Sequence, residues 1–313
     1  MPKEPRRVPT VLGRVHRRTA IRPRGSAFSS SSFPSHSSKF GFLPDSVLLP
    51  LVYPRLLTIG PVSIPTYGVF AAVALIVGLS LAMRTAARLR VASDAMWNLG
   101  LITMFTAVLG SKLLLISGHW HDFLSYPLLM LSISVPRTVD SVLTKIGLGL
   151  SAGLLYMTLK RMPWLDTFDA AAPGWALGQA ILALGCFFAG CDYGRPTSVA
   201  WGVVFHSRWA ALWNGTPLNV RLQPVQLYLC AVQLAICLLL LWWLPKRRQP
   251  GELAGAWMLA SGLTGFFLDF YLGGDRLMIV SGALSLTQAL DFCLVVIGAL
   301  LLMEKRPTQL ATS

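Results

Sequence analysis

The chain has 313 residues, 54% hydrophobic and 13% charged, with a formal net charge of +14. Soluble domains carry about 25% charged residues, so this composition argues against an ordinary soluble domain and points to lipid. The positive charge is not a nucleic-acid signal. Residues 1–40 hold nine basic residues and one acid, and much of the remaining excess lies in short loops between apolar runs, as the positive-inside rule describes.

In chain order, residues 1–45 are rich in Arg, Ser and Pro and cannot bury enough apolar surface to order themselves. They read either as a disordered basic tail or as a translation start placed too far upstream, and no apolar signal-peptide core follows the early arginines. Residues 46–306 form the membrane domain, and 307–313 a short tail. An apolar run of roughly 18 residues or more crosses a bilayer core as a helix. Such runs are predicted near Tyr67–Met83, Ala95–Ser117, Ser141–Leu159, Thr167–Ala189, Pro224–Leu244, Leu253–Leu272 and Leu286–Met303. Phe123–Val135 is too short to cross and reads as a re-entrant or interfacial piece. The polar segment 190–222 is expected to be periplasmic, with a short hairpin around Trp201–Phe205. Ser285 is placed to cap the last helix. The predicted fold class is an all-α integral membrane protein of about seven transmembrane helices.

Orientation follows from the loops. Arg84, Arg88 and Arg90, then Lys160 and Arg161, then Lys246, Arg247 and Arg248, then Lys305 and Arg306 occupy every second boundary. That side is predicted cytoplasmic, which puts the N-terminal flank in the periplasm and the C-terminus in the cytoplasm. The opposite loops carry His119, His121, Asp122, Asp192, Arg195, Arg208, Asp275 and Arg276, so chemistry is expected to face outward. The five cysteines lie in or beside apolar runs without CxxC spacing, and the histidines have no metal-ligand spacing. No disulfide framework, metal or cofactor is expected.

Charges inside spans are costly and carry information. Lys112 and Lys145 read either as snorkelling lysines or as site cations. Asp169 reads as a helix-start carboxylate favoured by the dipole, and Asp269 as an ion-pair partner or a site residue. The run from Gly185 to Thr197, GCFFAGCDYGRPT, combines small residues with a Gly-Arg-Pro turn. Its Arg195 reads either as a contact for a lipid phosphate or as a loop arginine, solvated or paired with Asp192.

These residues carry a resemblance to the prolipoprotein diacylglyceryl transferase family over roughly Ile59–Met303. Ile64-Pro65-Thr66-Tyr67-Gly68 looks like the family's first-span entrance. Leu109-Gly110-Ser111-Lys112 resembles its Gly-Ala/Gly-Arg element, with lysine for arginine. Asp169 to Pro173 with Gly178-Gln179 is similar to D-x-x-A-P…G-Q, and the GCFFAGCDYGRPT run resembles a cysteine-rich form of the signature. Gln223-Pro224-Val225-Gln226-Leu227-Tyr228 resembles H-P-x-Q-L-Y, and Leu284 to Gln288 resembles L-[ST]-x-x-Q.

The resemblance implies transfer of a diacylglyceryl group from phosphatidylglycerol to the lipobox cysteine of a preprolipoprotein, in the bacterial inner (plasma) membrane. The implied partners are phosphatidylglycerol, the preprolipoprotein signal peptide and membrane lipids. Arg195, Arg276, Lys112 and Lys145 become the lipid-phosphate candidates. Tyr67, Asp169, Gln179, Asp192, Gln226, Tyr228 and Asp269 become supporting residues.

The departures are specific. The family histidine falls on Gly147 and a family arginine on Ala183. The histidine of H-P-x-Q-L-Y is Gln223, the acid after its Tyr is Leu229, and two span-six arginines fall on Gly265 and Leu272. The catalytic base is therefore unassigned, with His119 and His121 as substitutes on the outer side. The residues are compatible with a transferase, or with a catalytically impaired paralogue acting as a lipid-binding or partner protein. A transporter is disfavoured by the lack of an internal repeat.

Overall fold

A computed structural model describes residues 54–59, 62–125, 139–274, 276–279 and 284–304. The expected tail at 1–45, residues 126–135 of the proposed interfacial piece, Asp275, and the C-terminal tail at 307–313 lie outside the described residues.

A short antiparallel hairpin, β1 (Arg55–Ile59) and β2 (Val62–Pro65), leads into α1 (Thr66–Arg88). The second span is α2 (Ser93–Phe105), a π-helical turn (Thr106–Gly110) and α3 (Ser111–Gly118), followed by the short α4 (Trp120–Ser125). Then come α5 (Val139–Leu159) and α6 (Trp164–Ala189). Beyond α6 lie β3 (Val203–Val204), α7 (Arg208–Asn214) and β4 (Arg221–Leu222). The chain ends through α8 (Val225–Trp243) with a 3-10 turn at Leu244–Lys246, α9 (Glu252–Asp269), the pair β5 (Met278–Ile279) and β6 (Leu284–Ser285), and α10 (Leu286–Met303). Pro65, Pro163 and Pro224 each stand immediately before a span. Proline has no N–H to give a preceding element, and its fixed φ suits a helix start.

Among the described residues, six helices are long and apolar enough to cross a membrane: α1, α2 through α3, α5, α6, α8 and α10. The other expected span, α9, is helical over 18 residues, or about 27 Å. Glu252 and Asp269 at its ends, and Gly255, Ser261, Gly262 and Gly265 between them, make it less apolar than the six. It packs lengthwise on α10. Exposed Ile76, Leu113, Leu159, Leu239 and Leu300 are sensible only against lipid, and the chain is an all-α, multi-pass integral membrane protein.

At the centre is α6, half of whose apolar window is buried, against 28% or less in the other five spans. Small residues make that position possible. A Cβ added at Gly174 would lie 2.3 Å from the Gly78 carbonyl oxygen, and one at Gly78 would lie 2.8 Å from that of Gly174. The backbones of α1 and α6 therefore touch. Pro173 sits inside α6 and removes one helix hydrogen bond. Beside that gap, the Thr85 hydroxyl of α1 donates to the Ala170 carbonyl. A similar contact joins α9 and α10, where a Cβ at Gly298 would come within 2.7 Å of the Gly255 carbonyl oxygen.

Alternating helix directions gather the basic loops. Ala82 and Ala86 of α1, Met96 of α2, Met157 and Met162 at the end of α5, and Ala170 of α6 form one core. Leu240, Leu244 and Leu253 join the adjacent one. The three described basic clusters thus share one end of the bundle. There Lys246 stacks over the Trp242 ring at 3.2 Å, an arrangement suited to a membrane boundary. The hairpin expected around Trp201–Phe205 is instead a long-range pair. Val203–Val204 bonds Arg221–Leu222 antiparallel, with α7 in the intervening chain, and Phe205 and Leu222 close a small core against Phe187.

Candidate functional site

The end of the bundle opposite the basic loops is built around the close of α6. Gly190 takes the left-handed conformation (φ 79°) that ends the helix. Thr216 donates to the Gly190 carbonyl at 2.6 Å, and the Asn214 amide donates to that of Ala189 at 3.0 Å. The chain then returns across the ends of α8 and α9. Gly194 bridges Leu272, the Arg195 N–H donates to the Tyr271 carbonyl at 2.8 Å, and the Gln223 N–H donates to that of Arg195 at 3.0 Å. A Cβ on Gly194 would meet the Gln223 carbonyl oxygen at 2.3 Å, so glycine is required at this crossing.

Two predicted phosphate cations converge here. The exposed Arg195 donates through Nε to the Leu272 carbonyl at 3.4 Å. Arg276 donates to the Asp269 carbonyl at 3.2 Å and to its carboxylate at 3.0 Å. Arg276 is thus anchored on the C-terminal end of α9, whose free carbonyls and dipole favour cations, and Arg195 on the turn that follows it. Each guanidinium has further N–H donors beyond the described contacts.

Asp269 is both ion-pair partner and organiser. Only 5% exposed, it accepts from Ser285 at 2.9 Å and Thr287 at 2.6 Å besides Arg276. Ser285 caps α10 as expected, in a full capping box with Gln288. One carboxylate therefore ties α9, Arg276 and the start of α10 together.

Lys112 and Lys145 belong to another pair of packed helices, α3 and α5. The π turn immediately precedes Ser111-Lys112. The four cations thus fall in two places, Arg195 and Arg276 at the close of α9 and Lys112 and Lys145 on α3 and α5. Tyr67 is partly exposed in the first turn of α1, and Gln179 is half-buried midway along α6. Tyr228 joins a relay: Trp201 Nε1 donates to its hydroxyl at 2.6 Å, the hydroxyl donates to Gln223 Oε1 at 2.8 Å, and Gln223 Nε2 donates to Thr197 at 3.0 Å. Gln226 is buried, and its Nε2 donates to the Cys191 carbonyl at 2.7 Å. Asp192, also left-handed (φ 49°), accepts from the Cys186 thiol at 3.4 Å.

Asp169 lies near the opposite end of α6. It caps a helix, but not its own: its carboxylate accepts from the N–H groups of Gly251 (2.8 Å) and Ala254 (2.7 Å) at the start of α9. Arg247 Nε lies 2.8 Å away and also pairs with Asp166. That arginine, read in the sequence only as part of a basic loop, is mostly buried structure.

The substituted positions differ physically. Gly147 lies on an open face, with nothing within 4 Å of an added Cβ, whereas Ala183 is buried in α6. Opposite Gly265 stands Asp291, whose Oδ2 would be 2.4 Å from an added Cβ there. Composition gave no reason to single out Asp291 among the acids of the chain. Its signal was its place in the apolar run of α10.

The family described as prolipoprotein diacylglyceryl transferase matches residues 54–304. Among its relatives, phosphatidylglycerol–prolipoprotein diacylglyceryl transferase 2 of Clostridium perfringens is 28% identical over 212 residues, 66% of this chain and 78% of the relative. The corresponding protein of Clostridium tetani is 25% identical over 234 residues, covering 74% and 89%. That of Synechococcus elongatus is 28% identical over 256 residues, covering 79% and 85%. With its membrane helices, its signature run and this match, the chain belongs to the prolipoprotein diacylglyceryl transferase family.

Proposed function

We propose that the chain transfers the diacylglyceryl group of phosphatidylglycerol to the lipobox cysteine of a prolipoprotein, in the bacterial inner membrane. The signature end would face the periplasm and the C-terminus the cytoplasm. The observation that carries this reading is the placing of Arg195 and Arg276 at the close of α9 beside the signature run. In the reaction the acceptor sulfur forms a C–S bond to the diacylglyceryl carbon while the C–O bond to phosphate breaks. The thiol proton passes to a base, and the glycerophosphate leaves with the bonding pair. The charge that develops is on the phosphate, where two anchored guanidiniums stabilise it without reorganising. Lys112 and Lys145, on the other helix pair, attract the anionic headgroup.

The test uses purified protein in detergent, phosphatidylglycerol labelled in its diacylglyceryl part, and a lipobox peptide. Wild type should label the peptide. Arg195→Ala with Arg276→Ala should lower both transfer and phosphatidylglycerol binding by about tenfold or more. Binding indifferent to the double substitution would refute the phosphate site, and bound lipid without transfer would mark an impaired paralogue.

A further inference from the structure

The close of α6 places three side chains together, Asp192 and two cysteines that the lipid reading does not use. The Sγ atoms of Cys186 and Cys191 and a carboxylate oxygen of Asp192 all lie within 4.8 Å of one another. Both cysteines are buried, and no disulfide joins them. Spacing concealed this cluster. Cys186 and Cys191 are five residues apart, which on a continuing helix would put them on different faces. The left-handed turn at Gly190 folds Cys191 back, and the left-handed Asp192 follows it.

We propose that Cys186, Cys191 and Asp192 form a binding site for a thiophilic divalent cation, of which zinc is the best fit. Two thiolates and a carboxylate are a donor set that such ions select. The spacing also suits one. Zinc–sulfur and zinc–oxygen bonds of about 2.3 and 2.0 Å at tetrahedral angles give an S···O edge of about 3.5 Å; the Cys186–Asp192 contact is 3.4 Å. The protons an ion would displace are those that the thiols now donate, from Cys186 to Asp192 and from Cys191 to the Cys186 carbonyl at 3.7 Å.

A second, independent observation lies beside the cluster, on the backbone of Cys191. Gln226 is 3% exposed and held by its Nε2 to the Cys191 carbonyl, yet its buried Oε1 has no hydrogen-bond partner among the described residues. A buried amide oxygen without a donor is costly. An ion, or a water bound to one, would satisfy it. Three protein ligands leave a fourth position open, which would accept either that oxygen or a substrate thiolate. The substrate role rests on the transferase reading; the site does not.

The test is a Co²⁺ titration of the full-length, reduced, metal-free protein in detergent. We expect a sulfur-to-cobalt charge-transfer band saturating near one equivalent and removed by Zn²⁺. Cys186→Ser and Cys191→Ser should abolish the band, Asp192→Asn should weaken binding about tenfold or more, and Cys230→Ser and Cys293→Ser should leave it unchanged. A measurement on wild type alone guards against misfolded variants: Zn²⁺ should protect Cys186 and Cys191, but not Cys293, from a small alkylating reagent, read peptide by peptide. No charge-transfer band, a band that survives Cys186→Ser, or a disulfide joining Cys186 to Cys191 in place of metal would overturn the proposal. Metal protection in a protein without transfer activity would leave the site standing and count only against the transferase reading.

Discussion

At the scale of residues, the buried carboxylates organise the molecule. Asp269 accepts from Arg276, Ser285 and Thr287 at once, so Asp269→Ala would strand a cation and two hydroxyls. Its expected cost is about 3 kcal/mol, read as a fall in melting temperature in detergent, with loss of phosphatidylglycerol binding as Arg276 is freed. An unchanged melting temperature would mean that the three donors find other partners. The sequence offered Asp269 as a pair partner or a site residue, and the ion pair with Arg276 is present. It did not reveal that Asp169 caps a helix 82 residues away, because a cap supplied by another helix leaves no local pattern. The Cys186–Asp192 cluster was hidden for a similar reason: helical spacing stops applying at a left-handed turn.

At the scale of elements, apolar runs located every span, with ends displaced by a few residues. α1 runs on to Arg88 and α6 begins at Trp164, where amphipathic end residues extend helices beyond their apolar windows. What hydropathy did not give was packing. The Gly78–Gly174 contact, backbone against backbone, holds α1 on the central helix. Gly174→Leu cannot be accommodated there without separating the two helices, so a loss of several kcal/mol, beyond the usual range of about 1–3 for overpacking, is expected in unfolding experiments. Gly147→Leu, on an open face, should change stability by less than about 1 kcal/mol. Equal effects would show that the close approach does not hold the bundle together. The pairing of Val203–Val204 with Arg221–Leu222 was illegible as well, since two-residue strands across a helix carry no periodicity.

At the scale of the whole molecule, the alternation of basic loops anticipated that Arg84–Arg90, Lys160–Arg161 and Lys246–Arg248 would lie together, and they do. The sidedness itself is testable with single cysteines on a cysteine-free background. Ser198→Cys should react with a membrane-impermeant maleimide in cells with an intact inner membrane, and Lys160→Cys only after that membrane is opened. The reverse pattern would invert the proposed orientation.

The family motifs were legible because they are short and lie in order along the chain. The consequences of the substitutions were not, since Gly147 and Ala183 differ in burial in ways only the packed helices reveal. The most direct measurement is complementation of a strain depleted of its own prolipoprotein diacylglyceryl transferase. Expression of this chain should restore growth and lipid modification, and Arg195→Ala with Arg276→Ala should not. Absence of rescue by wild-type protein that reaches the membrane in good yield would contradict the transferase function.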